Sequence, residues 1–176
     1  TMIQSGKMDE AKRRAETLLK AHPDSAFLHN ILGIVSLSRG EGKKAEERFR
    51  KTLELSPQFA GAAANLGLAL TGQRQFDAAI EVLRRAATYE PRSIEVRTNL
   101  ANAYLIKGRI DESIEANLKA LKLHPDFAPA HHNLAIAYLE KGEAKAAIEH
   151  CEKAVALGYE VPPEILKEIE ELKKII

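Results

Sequence analysis

The sequence predicts an all-α solenoid built from antiparallel helix pairs, and three observations carry that expectation. Pro23, Pro57, Pro91 and Pro125 stand 34 residues apart. Between them one pattern returns: Asn65-Leu66-Gly67, Leu70, a break at Thr71-Gly72-Gln73, then Ala79, Leu83 and Ala86. One period on, the same slots hold Asn99-Leu100-Ala101, Tyr104, Gly108 and Ala120; one period back they hold Leu32-Gly33, Gly40, Ala45 and Phe49. Self-similarity at a fixed period marks a repeat array, in which each unit buries its apolar face against its neighbours.

The spacing in which Leu66-Gly67 leads to Leu70, Leu100-Ala101 to Tyr104 and Ala45 to Phe49, closed by a proline every 34 residues, resembles the tetratricopeptide repeat family. The resemblance covers nearly all 176 residues. It implies a right-handed superhelical α-solenoid whose first helices line a concave groove.

Residues 1–6 align with 103–108, the end of a first helix, so residues 1–25 read as a partial leading repeat whose beginning is missing. Its second helix would follow Gly6, with Ala11, Ala15, Leu18 and Leu19 on one face at helical spacing. Four full units follow at 26–59, 60–93, 94–127 and 128–161. In each, a glycine (Gly40, Gly72, Gly108, Gly142) is expected to relieve the turn after the first helix. Small residues at Gly33, Gly67, Ala101 and Ala135 would let the two helices approach closely. Proline then stops the second helix, because its ring cannot continue the hydrogen-bond ladder. The fourth unit departs from this, with Tyr159 in the proline slot and Gly158 as the stop.

Residues 162–176 read as a C-terminal capping helix, with Pro163 and Glu164 at its start and Lys173 and Lys174 near its end, as the helix dipole favours. Ile165, Ile169, Leu172 and Ile176 form one stripe, widened by Leu166 and Ile175 on either side. A cap needs an apolar stripe of roughly 100°. The surplus makes these six residues a candidate surface for a partner or a second copy. The Glu/Lys/Leu/Ile texture of 166–176 suits a natural cap and an engineered segment alike.

Charged residues make up 29% of the chain and the net charge is +1, which supplies no basic field to collect nucleic acid or an anionic membrane. The most apolar run, 31–37, is too short to span a bilayer. The single cysteine excludes an internal disulfide and fits a reducing, cytoplasmic setting. No catalytic constellation is legible. Gly40-Glu41-Gly42-Lys43 lacks phosphate-loop spacing, and there is no His-Glu-x-x-His pair or Gly-x-Ser-x-Gly elbow. Cys151 fills the slot of Phe49 and Leu83, which favours packing over reactivity. His131 and His132 point about 100° apart on a helix and so do not converge on one metal. His22 and His124 precede prolines and read as surface turn residues. Ser113 and Asn117 occupy an alanine slot and a large apolar slot; they either bond within their helix or mark a weak spot. Neither a metal nor a cofactor is expected.

What remains is a surface. The resemblance places Phe27, Asn30, Ile34, Leu37 and Ser38 of the first full unit on the groove. The corresponding slots hold Gly61, Ala64, Leu68, Thr71 and Gly72 in the second unit and Glu95, Thr98, Asn102, Leu105 and Ile106 in the third. In the fourth they hold Pro129, His132, Ile136, Leu139 and Glu140. None is Lys or Arg, which disfavours the carboxylate clamp by which some family members grip acidic chain ends. Asn65, Asn99 and Asn133 repeat at the 34-residue period. A similar asparagine ladder in O-linked N-acetylglucosamine transferases holds a peptide backbone, a task suited to a side chain offering both donor and acceptor. The ladder breaks at Ile31, and asparagine in this slot can also serve bonds inside the repeat. The candidate peptide site is therefore Asn30, Ile34, Leu37, Asn65, Leu68, Thr98, Asn99, Asn102, Leu105, His132, Asn133 and Ile136. The first functional expectation is a non-catalytic scaffold holding a peptide or partner protein in that groove. A self-assembling homo-oligomer using the last helix or the solenoid ends is the alternative, and the substrate-recruiting part of a larger enzyme is the third.

Overall fold

The computed structural model describes residues 2–176, with side chains described from residue 6 onward. Among the described residues there are ten helices and no strand. They fall into two compact units, Thr1–Pro91 and Arg92–Ile176. The first holds α1 (Met2–Ala21), α2 (Ala26–Ser38), α3 (Gly42–Leu55), α4 (Ala60–Gly72) and α5 (Phe76–Tyr89). The second holds α6 (Ile94–Ile106), α7 (Ile110–Leu123), α8 (Ala128–Lys141), α9 (Ala144–Ala156) and α10 (Pro163–Lys173). Within each unit, first and second helices pack as pairs (α2 on α3, α4 on α5, α6 on α7, α8 on α9), and each pair meets the next through its neighbouring helix.

The pairs are spaced by matched side chains. A methyl group added at Gly33 would lie 2.5 Å from Phe49 Cε1, and one at Gly67 would lie 2.6 Å from Leu83 Cδ1. Both of those partners are fully buried. Where the second helix carries a smaller residue, Asn117 or Cys151, the first helix carries alanine instead, Ala101 or Ala135. The added methyl takes back part of the volume that the smaller partner gives up, a compensation that close-packed cores favour. Burial also pushes the Cys151 thiol up in pKa, as expected of an inert packing residue.

Each turn within a pair closes in one way. The amides of Gly40, Arg74, Gly108 and Gly142 bond back to Leu37, Thr71, Leu105 and Leu139, and the next amide reaches Ser36, Leu70, Tyr104 or Tyr138. This is a Schellman closure, with its left-handed residue at φ 72°, 62°, 76° and 76° in turn. The expectation that Gly72 would relieve the second turn is corrected here. Gly72 ends α4, and the left-handed position falls two residues later, on Arg74. An arginine there crowds its Cβ against the backbone, which glycine avoids.

A second difference lies at the start. Residues 2–21 form one uninterrupted helix, not two segments broken at Gly6. Gly6 does not take the left-handed conformation that Gly40, Gly108 and Gly142 adopt, so the helical ladder continues through it.

Ser113 and Asn117 prove to be wholly buried. Asn117 Nδ2 donates to the Ser113 carbonyl at 3.1 Å, yet Ser113 Oγ and Asn117 Oδ1 find no partner. The expected bond within the helix is present, and the two bare oxygens carry a residual cost. At the far end, Ile169 packs with Val161, Cys151 and Ala154, while Ile165 and Tyr159 lie against the same cluster. Lys173 fastens α10 to α9 by reaching Glu152 at 2.9 Å, and it also meets Glu170 of its own helix at 2.8 Å. Those two carboxylates raise its pKa.

Replacing the strained residue by glycine tests the turn assignment. Arg74→Gly is expected to raise the urea midpoint of unfolding, by a gain of about 1 kcal/mol. Gly108→Arg, the reverse change at the matching slot, should lower it by a similar amount.

Candidate functional site

In the first unit, the outward face of α2 and α4 is apolar with one polar centre. Phe27, Ile34 and Leu68 are 63%, 36% and 41% exposed, large for apolar side chains. Leu37 and Asn65 are half-buried beside them. Asn30 is the exception among the expected groove residues, because it is buried and its Oδ1 has no hydrogen-bond partner. An orphaned buried acceptor costs on the order of 1–3 kcal/mol.

In the second unit, α6 and α8 supply the corresponding face. Asn99, Asn102, Leu105, Asn133 and Ile136 are half-buried, and Ile106 is 49% exposed. Thr98 is buried and spends its hydroxyl within its own helix, donating to the Ile94 carbonyl at 2.8 Å. It is thereby a wall residue, not a free donor. His132 is also buried, stacked on Tyr159 with ring centroids 4.7 Å apart, and its Nδ1 has no partner. Burial pushes its pKa below the ordinary histidine value, so the ring is neutral at neutral pH. Asn30 and His132 are one slot, three periods apart, and each leaves a polar atom bare.

The six residues expected to form a surface on the C-terminal helix divide, and α10 ends at Lys173, which leaves Ile175 and Ile176 beyond it. Leu166, Ile175 and Ile176 are exposed, Ile165 and Leu172 are half-buried, and Ile169 is 2% exposed. Ile169 is therefore a core residue of the cap, since the turn it occupies faces α9. Of the six, only Ile169 is fully taken into the molecule.

Sequence reasoning missed a pair of histidine struts. His29 on α2 donates its Nε2–H to the Pro23 carbonyl at 2.9 Å, and Arg48 on α3 donates to its Nδ1 at 3.3 Å. Three periods later His131 on α8 donates its Nε2–H to the Pro125 carbonyl at 2.9 Å, and His150 on α9 meets its Nδ1 at 2.8 Å. A carbonyl only accepts, so it fixes the proton on Nε2 and leaves Nδ1 as acceptor; His150 must then donate from its own Nδ1. The clue was present, because His29 and His131 share a register and each lies six residues beyond a proline. Among the described residues no group of three or more His, Cys, Asp or Glu could hold a metal. No helix there is long and apolar enough to cross a membrane.

Models of the tetratricopeptide repeat match residues 3–60, 70–117 and 128–157, and a model described as TPR repeat matches 101–142. Solved structures agree. A crystal structure of MamA is 28% identical at a TM-score of 0.77, covering 88% of this chain and 91% of that one. A MamA structure from Desulfovibrio magneticus RS-1, residues 41 to the end, is 26% identical at 0.77 and covers 89% of this chain and 88% of that one. A search of curated protein sequences found no match.

The buried rings set a pH dependence. His150 is held below the ordinary histidine pKa by burial first and by the neighbouring His131 second, with Glu149 opposing, and His132 is lowered by burial. Once the pH falls below the ordinary value of about 6.5, the unfolded chain takes protons that the folded chain refuses. Stability is then expected to fall with pH. Urea unfolding at pH 7.5 and 5.5 should show the midpoint dropping, with a smaller drop in His150→Gln.

Proposed function

Because the chain belongs to the tetratricopeptide repeat family, we propose that it is a non-catalytic interaction scaffold, taking a peptide along its first-helix face. One observation carries this reading: α2 and α4 together expose Phe27, Ile34 and Leu68, and α2 also holds Asn30, whose Oδ1 has no hydrogen-bond partner. Clustered exposed apolar side chains on a soluble surface usually meet a partner. A peptide would seat apolar side chains on that patch while a backbone N–H satisfies the asparagine oxygen. The family's repeats and the MamA-like structures support a protein-interaction scaffold, and the peptide ligand is the finer step proposed here.

A self-assembled form is favoured by one other observation, the exposed Leu166, Ile175 and Ile176 together with Val155, 48% exposed, on α9. These lie outside the cap's buried side and are free to meet a second copy.

The two readings separate cleanly. Peptides selected from a random display library should bind the wild type and lose about tenfold or more on Leu68→Glu, which sets a charge in the apolar patch. Asn30→Ala should weaken the same peptides while leaving stability unchanged or higher, since it removes an unpaired acceptor. Indifference to both changes would remove α2 and α4 as the site. For assembly, light scattering on Leu166→Asp/Ile175→Asp should report a lower mass than the wild type; equal monomer masses would dismiss that form.

A further inference from the structure

The two histidine struts have an empty counterpart. One period after His29 the slot is Ala63 on α4, the Arg48 slot is Val82 on α5, and the Pro23 slot is Pro57. Where a ring stands in the first and fourth units, the second has a pocket of about 260 Å³, lined by Ala63, Val82 and Pro57 with Leu53 and Leu66 on its sides. We propose that this pocket binds a ring N–H side chain, imidazole or indole, presented by a partner peptide beside a carboxylate.

Size, chemistry and charge each narrow the occupant. Sites for drug-sized ligands run from about 300 to 1,000 Å³, so this one suits a single ring. Besides apolar side chains its lining holds Arg50, Glu54, Arg85 and Tyr89, Glu54 being paired with Lys51, and no side chain among the described residues donates to the Pro57 carbonyl. In both filled counterparts the matching carbonyl accepts a ring N–H at 2.9 Å. A purely hydrocarbon ring would cover that acceptor without satisfying it. Arg50 and Arg85 stand at the rim. Arg50 is engaged by Glu46, whereas Arg85 has no carboxylate partner among the described residues and is placed to take one from the ligand. The pocket opens between the second helices α3 and α5, so it is separate from the first-helix face and does not rest on the peptide reading above.

The test titrates the ¹⁵N-labelled full chain with indole-3-acetate, which joins a ring N–H to a carboxylate, and with 1-naphthaleneacetate, which lacks the N–H. The amides of Ala63, Val82 and Ala86 should shift saturably with the indole probe. The naphthalene probe should bind about three- to tenfold more weakly, the worth of one net hydrogen bond. Arg85→Gln should weaken the indole probe by a similar factor of about three to ten. Ala63→His should abolish binding by supplying the missing strut, with helicity retained and the thermal midpoint unchanged or raised. Should that variant not fold, Val82→Phe blocks the pocket from its other wall and must likewise abolish binding. No saturable shift at these amides, equal binding of both probes, or binding that survives both blocked pockets would overturn the proposal. So would pocket shifts that follow protein concentration alone and vanish in His22→Gln/His124→Gln, since these exposed His-Pro-Asp turns would make a second copy the occupant.

Discussion

The close approach of the two helices in each pair is the constraint on which the rest depends. Gly33 faces Phe49 and Gly67 faces Leu83 at distances that exclude even a methyl group. With the backbones so near, the intervening layer is one side chain thick, and the second helix must supply nearly all of it. That explains why the slot on the first helix follows the size of its partner, glycine against Phe49 and Leu83, alanine against Asn117 and Cys151. It also explains the tight turn, because two helices this close can be joined only by a reversal such as the Schellman closure, with its left-handed residue.

Much of this was legible in the sequence. The prolines and small slots fix the repeat, and the repeat assigns helices before any contact is known. What escaped were the places where a slot is filled against type. Arg74 was hidden because Gly72 stands nearby and offers a more conventional turn residue; only counting in register from Gly40, Gly108 and Gly142 exposes it. The break expected at Gly6 failed for a related reason, since a glycine permits a turn without compelling one. Period alone cannot report whether the flanking segments have anything to gain by folding back.

The candidate site was legible as a face but not as a set of exposed atoms. Sequence position places Asn30, Thr98 and His132 on the first helices, yet all three are buried, and what distinguishes them is whether the polar atom is satisfied. Thr98 closes on its own helix because its hydroxyl is one bond from Cβ and reaches the preceding turn. Asn30 leaves its acceptor bare, and so does the His132 ring at Nδ1. Similarly, the apolar arc of the last helix overstated its free surface. Ile169 looks identical to its neighbours on a helical wheel, and only the position of α9 consigns it to the core.

The buried oxygens of Ser113 and Asn117 give the α6–α7 pair a cost that the pairs built on Phe49 and Leu83 do not carry. Water entering the gap between α6 and α7 would satisfy two atoms that the closed pair leaves bare, whereas water entering beside Phe49 or Leu83 would gain nothing. The α6–α7 pair thus differs from the Phe49 and Leu83 pairs in satisfaction, although the backbone turn there repeats that of its neighbours. A chain built from near-copies acquires in this way one pair unlike the others, marked by two polar side chains in an apolar seam.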